Sequence, residues 1–365
     1  MSGGGLRSFS IFALGVSPYI TASIITQLLQ MDIIPYFKEL KEEGYTGRQK
    51  INRITRYLGI LFAFIQGYIL TIVYMNGMSS LDILKTTVVM TAGTCFLLWI
   101  GDQVTTKGIG NGISLLIMAG IIQSMPSMFV TTFQSLVTSG TYSTVLGSIL
   151  FALFVIVYIF IILGVVFIQL AERRVPIQYS NRTNSAYGAQ TSYLPIKLNP
   201  AGVMPVIFAQ TLLAIPTTIV ALVGNDTAKN FVNNYIAYTS PTGFILYVIL
   251  ILFFGYFYTF MEMNPEEMSK NLNKNGGYIP GVRPGADTTD YISKVIGRLT
   301  IVGSIFLVII AGLPIIFSKF SGLPSSVTIG GTGLLIVVGV AIETYKQLES
   351  SLVSRSYREG RRHRR

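Results

Sequence analysis

Nine apolar runs, none with a charged residue in its middle, set the strongest limit on what this chain can fold into. They lie near Val16–Met31, Tyr57–Tyr74, Leu84–Ile100, Gly112–Phe129, Val145–Gln169, Ala201–Val223, Gly243–Phe260, Leu299–Phe317 and Gly331–Tyr345. Inside a bilayer every backbone N–H and C=O needs an internal partner, so only helices and closed barrels cross it. Barrel strands alternate apolar and polar residues, whereas these runs are continuous. The expected fold class is therefore an all-α polytopic membrane protein with about nine spans. Composition agrees: 51% of residues are hydrophobic and 12% charged, against roughly 25% charged in a soluble domain.

The charges that remain sort by side. Alternate loops, beginning with residues 33–56, hold 23 of the 27 Lys and Arg; the opposite loops hold only Arg7, Lys85, Lys229 and Lys319. By the positive-inside rule the C-terminus is expected in the cytoplasm and the N-terminus outside. The net charge of +11 thus reads first as topology rather than nucleic-acid binding. An outside N-terminus with an odd span count, and nothing before Gly3 that could act as a signal peptide, leads to the expectation that a preceding helix is missing.

Little here suits catalysis. Cys95 is the single cysteine and His363, in the tail, the single histidine. Cys-His or Ser-His chemistry and an intramembrane His metal site are not expected. No GxxxxGK[ST] phosphate loop occurs, so no bound nucleotide or other cofactor is expected. The uncharged span interiors argue against an ion-coupled transporter, which needs titratable relay groups. Gln66, Gln169 and Gln210 are expected to bond between helices.

Three segments carry more information. Ile11–Gln30 offers only about 16 residues of unbroken helix, against roughly 20 for a lone crossing helix. It is speckled with Thr21, Ser23, Thr26 and Gln27. That suits a helix surrounded by others or lining a water-filled path. Glu172–Asn199 alternates Val175, Ile177 and Tyr179 with other residues, then returns through Tyr193 to Leu198, which predicts a β-hairpin. Asn264–Lys294 opens with Asn264-Pro265-Glu266-Glu267, a helix start, and continues through Gly276-Gly277 and Pro280-Gly281-Val282-Arg283-Pro284-Gly285, a turn-rich tip. Both loops read either as solvated connectors or as docking surfaces. The tail Arg361-Arg362-His363-Arg364-Arg365 reads as a solvated positive terminus, or as a site for anionic lipid or ribosomal RNA.

Several motifs together resemble the SecY family, the channel subunit of the bacterial protein translocase, in its Gram-positive style. They are Ser10–Leu29, Gly108–Ile117 (GIGNGISLLI), Glu172–Arg174, Leu194–Phe208, Asn264–Gly285 and Gly330–Val338. The resemblance implies a SecY-like bundle of two pseudo-symmetric halves, 1–130 and 131–365. The first would hold a plug at 3–12 and four spans. The second would hold five spans, cytoplasmic loops at 170–200 and 262–298, and a basic tail at 346–365. It implies a plug matched from Gly3, Gly4 and Gly5, with the family's first span absent. It implies a pore ring of Val16, Ile20, Ile113, Ile117, Ile207 and Ile336, with Val16 where an isoleucine is expected. A lateral gate would run along Ile20–Gln27, Ile60–Gln66, Ile207–Leu213 and Tyr247–Phe254.

Arg173, Arg174, Lys197 and Arg283 would dock the motor ATPase SecA and the ribosome, with Asn181 standing where some relatives have lysine. SecE and SecG subunits, signal-bearing preproteins and membrane lipid are the other implied partners. The implied function is a non-enzymatic protein-conducting channel in the plasma membrane. The competing readings are a truncated or accessory form, and a small-solute transporter of unrelated fold.

Overall fold

The computed structural model describes residues 10–30, 34–75, 77, 79–138, 143–179, 192–223, 226–237, 240–321 and 325–362. The expected plug glycines Gly3, Gly4 and Gly5, together with Asn181 and His363, lie outside the described residues.

Each of the nine apolar runs is a helix. They form α1 (Ser17–Leu29), α3 (Tyr45–Tyr74), α4 (Ser80–Lys107), α5 (Gly112–Phe133), α6 (Thr144–Leu170), α7 (Met204–Val223), α9 (Pro241–Glu262), α11 (Ala286–Ser321) and α12 (Ser325–Arg362). Three short amphipathic helices are added: α2 (Pro35–Glu42), α8 (Asp226–Tyr235) and α10 (Pro265–Lys274). Among the described residues six helices are long and apolar enough to cross a membrane. α1 has only 13 residues, as its short apolar stretch implies. A π-helical turn, Gln134–Thr138, extends α5.

The ends of the elements differ from the sequence-based expectation. α3 starts at Tyr45 rather than Tyr57, and α11 at Ala286 rather than Leu299. Residues 346–362 of the basic tail continue α12. Apolar composition marks where a helix meets lipid, whereas the helix itself continues wherever propensity allows. In the charged first turns of α3, Lys50 donates to Glu43, just ahead of the helix, at 2.9 Å, and this hydrogen bond holds the ammonium pKa above its ordinary value.

Caps account for several helix starts. Ser79, Asn111, Ser143, Ser240 and Asn264 each accept a hydrogen bond from a first-turn backbone N–H, which relieves donors that no helical carbonyl can reach. Packing runs α1 on α3, α3 on α4 and α4 on α5, then α7 on α9, α9 on α11 and α11 on α12, with α12 lying against α5 and α6. Arg56 on α3 and Asp102 on α4 form an ion pair at 2.7 Å.

The two long loops differ from expectation in one respect: they form a single body. β1 (Glu172–Tyr179) and β2 (Ser192–Lys197) make the antiparallel hairpin, with Arg174 opposite Pro195. β3 (Gly277–Tyr278), from the second loop, pairs antiparallel with the outer end of β1, giving the order β2-β1-β3. Val175, Ile177 and Ile196 from the sheet, Leu272 from α10, Ile279, and Ile292 and Ile296 from α11 form one buried cluster beneath it.

Candidate functional site: an apolar collar and a basic platform

The six residues of the implied ring come from four helices and meet in one apolar cluster. Val16, the residue just before α1, and Ile20 on it meet Ile117 on α5, Ile207 on α7 and Ile336 on α12, all buried; Ile113 of α5 is partly buried against them. The same cluster holds Ile24, Ile121, Phe208, Phe254 and Val340, which the sequence reading did not assign to the ring. Ile24, Ile121 and Val340 each follow a ring residue by four positions. That is the spacing of one helix face, so the signal for them was present.

Local structure explains the convergence. Gly15, at φ 57°, turns the chain just before α1, a conformation glycine adopts without a Cβ penalty. Thr94 on α4 donates to the Gly15 carbonyl at 3.2 Å and fixes that turn. Pro18 sits in the first turn of α1, where its missing N–H costs nothing. On α5, the Asn111 side chain accepts from the N–H groups of Ile113 and Ser114, at 3.1 and 3.3 Å. Ahead of α7, Asn199 donates to the Gly202 carbonyl at 2.8 Å. Gly333 of α12 brings its backbone against Ile121 of α5, where a Cβ would meet the Ile121 side chain at 2.8 Å.

The buried side chains of the cluster are all aliphatic or phenylalanine. Phe208 meets Phe254 edge to face at 5.6 Å between ring centres, and α7 and α9 are further linked where Gln210 donates to Tyr247 at 3.4 Å. Beside it the polar positions of α1 face α3. Tyr19, Ser23, Thr26, Gln27, Arg48, Asn52 and Thr55 line a cavity of about 280 Å³. The Gln27 side-chain oxygen is buried there without a hydrogen-bond partner among the described residues. The short, polar-speckled helix therefore has one apolar face in the cluster and one polar face on α3.

Three of the basic candidates lie on the sheet and the fourth, Arg283, on the loop that follows β3. Arg173, Arg174, Lys197 and Arg283 are all exposed. Arg174 pairs with Glu172 at 3.0 Å, both side chains being accessible. Arg283 sits on a tight tip between Gly281 and Gly285, whose φ angles are 81° and 106°. Thr288 donates to the Arg283 carbonyl at 2.8 Å, and Ser269 donates to the Gly285 carbonyl at 3.2 Å. The tip is thus pinned to α10 and α11 while the guanidinium points free. Among the described residues no group of three or more His, Cys, Asp or Glu could hold a metal ion.

A multi-pass helical membrane protein, with four helices meeting in one apolar cluster and a small sheet bearing exposed basic residues, is the class that fold and site define. The SecY family profile matches residues 10–345. The chain belongs to the SecY family. It is 48% identical over 366 residues to the protein translocase subunit SecY of Bacillus subtilis, covering 98% of this chain and 85% of that protein. A structure described as that of a protein conducting channel superposes with a TM-score of 0.65 at 23% identity, covering 94% of this chain and 82% of the other. Sec61 in the canine ribosome-channel complex superposes at 0.63 and 23% identity, again covering 94% of this chain and 82% of the other. At such identities the two structures support the fold alone.

Proposed function

We propose that this chain is the conducting subunit of a plasma-membrane protein translocase, passing unfolded, signal-bearing polypeptides and releasing apolar segments sideways into lipid. One observation carries the reading beyond family membership. The six ring positions, scattered from residue 16 to residue 336, fall in a single apolar cluster contributed by four helices. A constriction of β-branched apolar side chains dewets when empty and so blocks ions. It offers no specific hydrogen bonds, so it can yield to any extended peptide.

The rest of the reading builds on that collar. Residues 1–130 and 131–365 are its two halves, and the gate is the α1–α7–α9 side, with α3 at its edge. A signal peptide there exchanges water for lipid, driven by the burial of its own apolar surface. The C-terminus is cytoplasmic, which puts Arg173, Arg174, Lys197 and Arg283 on the face where a motor ATPase (SecA) and the ribosome dock. Arginine suits such a face because its planar fork can grip carboxylate or phosphate in two-point fashion. SecE clamps the halves and SecG binds at the periphery. The chain performs no catalysis itself, so energy comes from the motor or from translation.

The test is complementation. The host's own channel subunit is depleted, this chain is expressed, and export of a signal-bearing reporter is scored. Restored export is expected. If the chain accumulates in the membrane, co-purifies with the two small subunits and still exports nothing, the reading fails.

A further inference from the structure

We propose that α8 is an anchor in the membrane–water interface, inserting Phe231 and Tyr235 into the headgroup and upper acyl region of the bilayer. The argument begins with what the short helices do with their apolar residues. α2 tucks Phe37 and Leu40 against Ile51, leaving them 8% and 2% exposed. α10 buries Leu272 and exposes Glu266, Glu267 and Lys270. α8 does the reverse: its two largest side chains, Phe231 and Tyr235, are 57% and 55% exposed.

Those two residues are one turn apart and their rings touch, with centres 5.1 Å apart. They therefore form a single patch rather than two stray side chains. Val232, about a quarter-turn round the helix, is buried and holds α8 to the bundle. The opposite face carries Lys229 and Asn233.

Position identifies the occupant. α7 leaves the hairpin end of the bundle and finishes at Val223; α9 begins at Pro241 and runs back. α8 thus connects two span ends on the side opposite the sheet, where hydrocarbon gives way to water. Its C-terminal end is fastened to α9: Thr242 donates to the Tyr235 carbonyl at 2.9 Å. Gly243 approaches the Ala237 carbonyl so closely that a Cβ would collide with it. The aromatic pair is therefore held in place against the start of α9, a helix whose Ile245 and Ile249 are also exposed. Phe and Tyr with a polar opposite face are the composition that settles at this boundary.

The experiment uses the full chain, assembled with its partner subunits, in vesicles of phosphatidylethanolamine and phosphatidylglycerol. Trp99 is the single tryptophan, so Phe231→Trp in a Trp99→Phe background reports one site, with Tyr235→Trp as a second reporter and Asn233→Trp as the opposite-face control. Dibrominated acyl chains are expected to quench position 231 or 235 at least twofold, with aqueous iodide nearly without effect, while iodide quenches position 233. Efficient iodide quenching at 231 and 235 would overturn the proposal by placing the patch in water. Protection from both quenchers would overturn it by placing a protein partner there.

Discussion

The Tyr278 hydroxyl donates to the Gln178 side-chain oxygen at 3.0 Å, across 100 residues of sequence. With the pairing of Tyr179 and Gly277, it closes the sheet that makes the two loops one platform. The bond itself is exposed, so Tyr278→Phe is expected to cost no more than about 1 kcal/mol. Gly277→Val is the informative change. Its Cβ would meet Leu272 at 2.9 Å and Tyr179 at 3.0 Å, and overpacking of this kind costs about 1–3 kcal/mol. Limited proteolysis should then show new cleavage between residues 270 and 285, together with reduced export. An unaltered digestion pattern would mean that the sheet accommodates the side chain.

The collar makes its own prediction. Ile336 is 5% exposed within the cluster. Ile336→Asn puts an amide there without a partner, and such a group costs about 1–3 kcal/mol when buried dry. On the proposed sealing role, that penalty would weigh on the packed state and be relieved when the cluster hydrates. Ion leak across bilayers is expected to rise roughly tenfold or more, with improved export of reporters bearing defective signals. Ile336→Val should leave both near the parent values. Equal leak in all three proteins would dissociate the cluster from sealing.

Arg283 is expected to matter for docking and not for folding. Its guanidinium is exposed while the backbone of its tip is tied down. Arg283→Glu should change stability by less than about 0.5 kcal/mol and leave membrane levels unchanged. Motor-driven export should fall at least tenfold. Normal export at normal protein level would remove Arg283 from the docking surface.

The ion pair between Arg56 and Asp102 joins α3 to α4 at 2.7 Å, but the arginine side chain is about half exposed. Such pairs are worth about 0–1 kcal/mol. Arg56→Ala should therefore shift thermal unfolding in detergent only slightly, and less still at high salt. A large shift would show that the pair is shielded from water.

The sequence made some of this legible and hid the rest for physical reasons. The nine spans were readable because lipid demands long apolar runs, and the hairpin because Val175 and Ile177 alternate with outward residues. Helix ends were not, since α3 and α11 continue through charged residues that lipid excludes but a helix accepts. β3 was hidden because two residues, Gly277 and Tyr278, carry no periodicity, and the Gly-Gly beside them looked like a plain turn. The short helix α8 was missed because ten residues give too few turns for its aromatic pair to stand out. That the six implied ring positions share one cluster was reachable only through the family resemblance. A buried isoleucine in a collar and one in ordinary core look alike until the other helices are in place.

The three-stranded sheet has a mechanical consequence. β1 continues directly from α6, β2 leads through Asn199 into α7, and β3 lies between α10, which follows α9, and the start of α11. Four spans therefore end on one small plate. A partner that grips any part of that plate cannot pull a single helix in isolation. A force applied there would be shared among the four helices, which would tilt as a group rather than move one by one.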